Sequence, residues 1–165
     1  MRPWLVDPVA GDPRLPEVQR IAAELYALHE AGRPTHHGVQ RLAALVGGEH
    51  GTLRYRFIYA FGSVSPETFA RQLLVNVDDA PRDLSREELL ELIERISNPR
   101  HDEEFLTEVW LICLRLNTSK TISDLIFWPG DYFGDGDQRT ELTHEQILDW
   151  ALSGSRTRPL PAATA

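Results

Sequence analysis

Three groupings of residues in this sequence could do chemistry, and each stops short of a working pattern. Asp131, Asp135 and Asp137 lie close together in a glycine-rich stretch, as oxygen ligands for calcium would. An EF-hand loop needs a bidentate carboxylate at its twelfth position. That position is Leu142 counted from Asp131 and Gln146 counted from Asp135, so an acidic surface loop is expected instead. His29, His36 and His37 are potential metal ligands. Adjacent histidines on a helix point ~100° apart, and no cysteine or carboxylate cluster joins them, so no metal site is expected. Cys113, between Ile112 and Leu114, has the setting of a core thiol. Ser, His and Asp all occur, but without a nucleophile-elbow motif or a glycine-rich phosphate loop. The expectation is a protein that is not an enzyme, has no cofactor and acts by binding.

Charge indicates what it would bind. Residues 80–150 hold 16 Asp/Glu against 7 Lys/Arg, a net of −9, whereas residues 1–79 hold 9 against 8. An acidic domain attracts a basic protein and repels phosphate backbones, so neither nucleic acid nor an anionic membrane surface is an expected partner of that half. A face kept acidic for solubility is the plain alternative. Apolar runs such as Val109 to Leu114 are far below the ~20 residues a bilayer span requires. The first residues, with Arg2, Pro3 and Asp7-Pro8, do not resemble a signal peptide, and a single cysteine excludes an intramolecular disulfide framework. A soluble, cytoplasmic protein is expected.

The elements that must position any binding surface read as helices. Residues 1–15, with Pro3, Pro8 and Pro13, suggest an extended arm. Pro16 opens an amphipathic helix with Val18, Ile21, Ala22, Leu25 and Leu28 on one face, ending at Gly32. Val39, Leu42, Leu45 and Val46 mark another, stopped by Gly47-Gly48. In residues 52–61 the aromatics alternate as in a strand, but no second segment offers a partner strand, which favours a helix. Ser65-Pro66 starts the next helix. The polar segment from Asn76 to Arg82 reads as the boundary between a helical domain over 16–78 and a second domain over 82–152. There, Ser85 with Glu88 forms a capping box before Leu89, Leu92, Ile93 and Ile96. A helix from about Asp102 to Asn117 follows. Ser123-Asp124 then caps a single turn cut off by Pro129-Gly130, a loop runs to about Arg139, and Thr143 with Gln146 caps a last helix. Residues 153–165 read as a disordered tail.

Residues 84–152 resemble the immunity proteins of colicin- and pyocin-type nucleases. The motif that carries the resemblance is Ser123-Asp124-Leu125-Ile126-Phe127-Trp128-Pro129, similar to the family's one-turn third helix. LSREELLELIERI resembles the first helix, DEEFLTEVWLICLRL the acidic second and HEQILDWA the last. The resemblance implies an all-α fold: a distorted four-helix bundle with a one-turn third helix, preceded here by an additional all-α domain. It implies a bacteriocin immunity protein that inhibits a cognate nuclease, with a DNase favoured, by blocking access of nucleic acid. The partner would be the toxin's basic nuclease domain.

By the same resemblance, Asp124, Phe127, Trp128 and Pro129 form the common anchor, while Glu103, Leu106, Thr107, Trp110 and Leu114 on the second helix set which toxin is bound. The family's aromatic pair is usually tyrosine, so Phe127 and Trp128 lose two hydroxyls. Independently, two consecutive bulky aromatics ~100° apart on a single turn cannot both be buried easily, so at least one should project outward. Trp110 is open to two readings of equal weight, private anchor or core packing. Glu87, Glu91, Glu94 and Glu108 read as a solvated face that would steer a basic partner.

The first half permits a different function. Its helices, among them GVQRLAALVGG, could form a DNA-binding regulator with Arg41, Arg54 and Arg56 on phosphates, the acidic bundle serving as a protein-interaction module. Its net charge of −1 argues against that alternative.

Overall fold

A computed structural model describes residues 2–100, 104–134 and 141–154, and among these every regular element is helical. The chain divides into two compact units at Asp78–Asp79, within the polar segment from Asn76 to Arg82. No described helix is long and apolar enough to cross a membrane.

The first unit contains α1 (Pro3–Val6), α2 (Leu15–Glu30), α3 (His36–Val46), α4 (His50–Ala60) and α5 (Pro66–Leu74). α2 is its hub, packing against α3 and α5, while α3 packs against α4. Val18, Ile21, Ala22 and Leu25 recur at helical spacing and are essentially fully buried, as the sequence pattern requires. Gly38 lies where α3 meets Leu25 of α2. A Cβ there would stand 2.5 Å from Leu25 Cδ2, so the close helix contact depends on glycine. The aromatic segment is helix α4, with Leu53 and Phe57, four residues apart, turned inward. Tyr26, Phe57, Phe61 and Phe69 form the aromatic centre, with ring separations of 5.3–6.2 Å, and the Tyr26 hydroxyl donates to the Val64 carbonyl at 3.1 Å. α5 starts as its Ser65-Pro66 pair implies, with the Thr68 N–H donating to Ser65 Oγ at 3.0 Å.

The N-terminal residues are not an extended arm. Pro3 occupies the first position of a helical turn, where its missing N–H costs nothing, and Leu5 and Val9 are buried. Arg71 of α5 pairs with Asp7 at 2.9 Å, and the Val9 N–H donates to Asp7 Oδ1. Burial of two apolar side chains outweighs the turn-forming composition.

The second unit contains α6 (Arg86–Ser97), α7 (Glu104–Asn117), α8 (Ile122–Phe127), α9 (Pro129–Phe133) and α10 (His144–Ser153). α6 packs on α7 and α10, and α8 contacts α7, α9 and α10. Both capping boxes form, Ser85 with Glu88 and Thr143 with Gln146, and α10 stops at Gly154 in the left-handed region. Leu89, Leu92, Ile93 and Ile96 of α6, Val109, Trp110, Cys113 and Leu114 of α7, Ile122 and Leu125 of α8, and Ile147 and Leu148 of α10 are all buried where these helices pack. Asn117 ties the entry of α6 to the end of α7. Its Nδ2 donates to the Pro81 and Cys113 carbonyls at 2.8 Å, and its Oδ1 accepts from the Leu84 N–H at 3.1 Å.

Two local expectations need correcting. The cap of α8 is Thr121, not Ser123, which lies inside the helix, buried, accepting from Arg115 Nη2 at 3.1 Å. Pro129 does not open a loop. It takes the first position of α9, whose Tyr132 is buried and which ends at Gly134 with φ +72°. The expected tail beyond Gly154, together with Asp102, Asp135 and Asp137, lies outside the described residues.

Candidate interaction site

α8 is held from beneath and interrupted from above. Ile122 and Leu125 are buried, and the Arg115–Ser123 hydrogen bond ties the turn to α7. The Trp128 N–H donates to the Asp124 carbonyl at 2.7 Å, closing the last turn. Proline at 129 supplies no N–H to extend the ladder, and Trp128 leaves the helical region at φ −140°, ψ 60°. Trp128 is therefore both the end of α8 and the entry to α9, and this corner carries the aromatic pair out of the core.

Both rings project. Phe127 is 42% exposed and Trp128 51%, their centroids 5.5 Å apart at an interplanar angle of 57°. Ile126, Asp124 and Pro129 are half-buried around them, and Asp131 is exposed. The carboxylates of Asp124 and Asp131 have no partner among the described residues. Two such rings, at ~150–250 Å² each, leave roughly 200 Å² of apolar surface in water. At ~25 cal/mol per Å², covering it would contribute about 5 kcal/mol before the costs of association. That is enough for an anchor and too little for a tight complex, which needs further contacts.

The second helix does not supply the contacts first expected of it. Trp110 and Leu114 are fully buried core residues: of the two readings of Trp110 the core one holds, and the outward placement that the resemblance implied for both is wrong. On α7 they share the inward face with Val109 and Cys113, and Arg95 of α6 lays its guanidinium 5.6 Å from the centre of the Trp110 ring while bonding Glu91 at 2.9 Å. A large apolar residue one turn from Cys113 on an apolar helix is more cheaply buried than presented. Leu106 and Thr107 are half-buried and stay accessible; Glu103 lies outside the described residues. Thr107 lines a groove with Pro99, Arg100, Glu104 and Glu108, and Glu91, Glu94, Arg95 and Asn98 border a neighbouring one that also reaches Arg100. Glu87, Glu94 and Glu108 are exposed and Glu91 is half-buried, so the acidic face reaches solvent.

The residues with potential for chemistry are scattered. Burial pushes the Cys113 thiol up to about 12, far from a nucleophile at neutral pH. His29 packs edge-on against Phe57 and Phe61, and His36 stands edge-on to His50 at 4.5 Å. Among the described residues no three histidine, cysteine, aspartate or glutamate side chains gather as a metal site would need. Of the arginines that would have touched DNA, Arg41 pairs with Glu24 at 3.0 Å and Glu17 at 3.6 Å, and Arg56 donates to the Gln72 carbonyl at 3.3 Å.

A second exposed aromatic face was not anticipated. On α4, Tyr55, Ile58 and Tyr59 are 60%, 50% and 64% exposed, and the two tyrosine rings lie 4.2 Å apart. The available signal was the four-residue spacing of the tyrosines. Once Leu53 and Phe57 turn inward on a helix, Tyr55 and Tyr59 must turn outward.

No family model, curated protein or solved structure matches the chain.

Proposed function

We propose that this protein is a bacteriocin immunity protein: a non-enzymatic inhibitor that binds a basic nuclease domain of the colicin or pyocin type and blocks access of nucleic acid to it. The observation that carries the reading is the pair Phe127–Trp128, both about half exposed at the proline corner between α8 and α9 beside Asp124. Large apolar area on rigid side chains next to a carboxylate is the composition of an interface hot spot. The acidic half of the chain adds the second ingredient, since 16 acids against 7 bases over residues 80–150 would attract a basic nuclease and repel its substrate.

Asp124, Phe127, Trp128 and Pro129 would form the anchor. Leu106 and Thr107, with the exposed Glu108 beside them, would contact what differs between nucleases. The reading is tested by titrating a bacteriocin DNase domain with the full chain and following DNA cleavage. Stoichiometric loss of cleavage is expected. Full cleavage with the protein in excess of the enzyme, across a panel of DNase and RNase domains, would overturn it.

A further inference from the structure

The two exposed aromatic faces are chemically complementary. The α4 face presents Tyr55, Ile58 and Tyr59, and from His50 to Ala60 the helix carries two arginines and no acid. Arg54 is exposed and has no ion-pair or hydrogen-bond partner among the described residues. The α8–α9 corner presents Phe127 and Trp128 flanked by Asp124 and Asp131, and from Ile122 to Phe133 it carries two acids and no base. One face therefore has unpaired positive charge around aromatic rings and the other unpaired negative charge around aromatic rings.

We infer that the Tyr55–Ile58–Tyr59 face of α4 is a docking surface for the Phe127–Trp128 corner of a second copy of this chain. Arg54 meets Asp124 or Asp131, and the tyrosine rings cover the indole and phenyl rings. A nucleic-acid strand suits the α4 face less well. Of its two arginines, Arg56 already serves a backbone carbonyl, and the tyrosines pack on each other rather than standing apart as stacking platforms. Self-pairing of two α4 faces would oppose arginine to arginine.

The two tyrosines leave roughly 250 Å² exposed and the Phe–Trp pair roughly 200 Å². One such contact is well below the ~1,200 Å² of a standard interface, so it is weak and reversible, with a dissociation constant on the order of 100 μM. A contact between unlike faces either closes reciprocally into a dimer or continues head to tail. Because the corner aromatics are also the proposed nuclease anchor, self-association and nuclease binding would compete. The docking itself does not require the nuclease reading, since it is measured on this protein alone.

The test is sedimentation velocity of the full chain from 10 μM to 1 mM. Concentration-dependent association is expected, with either Tyr55→Ala/Tyr59→Ala or Phe127→Ala/Trp128→Ala shifting it at least tenfold to higher concentration. Mixing the two doubly substituted proteins leaves one intact face on each and should regenerate a complex. Arg54→Glu alone should weaken association, and pairing it with Asp124→Arg/Asp131→Arg should restore it. All these side chains are exposed or half-buried, and unchanged circular dichroism verifies folding. A wild type that stays monomeric at 1 mM would overturn the inference. So would association that survives loss of either face, or a mixture that stays monomeric.

Discussion

Replacing Trp110 by alanine separates a core residue from an interface residue. The ring is fully buried between α6 and α7. Truncating a buried Trp or Phe to Ala costs about 3–5 kcal/mol, from lost transfer energy and the cavity left behind. Arg95, 5.6 Å from the ring centre, also loses its aromatic partner, a further ~0.5–1 kcal/mol that does not simply add. Against a typical total of ~5–15 kcal/mol for a domain, the variant keeps its fold with little margin. With a urea slope of ~2 kcal/mol per molar, a loss of about 4 kcal/mol moves the midpoint down by about 2 M. The assay is urea unfolding followed by circular dichroism, with Trp110→Phe as the milder variant that recovers part of the loss. Trp128→Ala, at a half-exposed position, should stay within ~0.5 kcal/mol of wild type. The reasoning is refuted if Trp110→Ala shifts the midpoint by less than about 0.3 M while weakening nuclease binding tenfold or more.

Other expectations follow from single contacts. Ser85→Ala and Thr143→Ala each remove a cap whose side chain accepts a backbone N–H, at 3.2 and 3.3 Å, and should cost about 0.5–2 kcal/mol by urea unfolding. Gly38→Ala gains about 1 kcal/mol of helix propensity but drives a methyl into the buried Leu25, a strain of ~1–3 kcal/mol, so a net loss of about 1 kcal/mol is expected; a net gain would show that Leu25 yields. With its folded value raised to about 12 from an ordinary 9.0, the Cys113 thiol contributes stability that is full below pH ~9 and is lost as pH rises through that range toward the folded value. At pH 8 the native protein should resist thiol reagents that label it at once in urea, and rapid native labelling would contradict the burial.

Much of this fold could be read directly from the residues. Both capping boxes, the Ser65-Pro66 start and the glycine stops announce themselves because a helix end must satisfy its own backbone within a few residues. Features decided by distant contacts were harder to read. The arm and the stretch after Pro129 have turn-like composition, yet Leu5, Val9 and Tyr132 bury themselves and draw those segments into helical turns. On α7 the buried residues Phe105, Val109, Trp110, Cys113 and Leu114 recur at helical spacing, with Glu104, Glu108 and Arg115 exposed opposite them. The inward side of Trp110 was therefore legible from periodicity, and the resemblance pulled the reading the other way. The alternating aromatics of α4 fit a strand or a helix equally well locally, and only the inward pair Leu53 and Phe57 decides the outward pair. The exposure of Phe127 and Trp128, by contrast, follows from geometry within seven residues: a single turn, two adjacent rings and a proline.

The most direct test of the central claim is a calorimetric titration of a bacteriocin DNase domain with the full chain, run beside Phe127→Ala/Trp128→Ala. Wild type should bind one to one and abolish cleavage. With two hot-spot residues at ~2 kcal/mol each, the doubly substituted protein should bind about a thousandfold more weakly. Equal affinity of the two proteins would contradict the assignment of the α8–α9 corner as the anchor. An absence of heat and of inhibition with every DNase and RNase domain tried would contradict the immunity function itself.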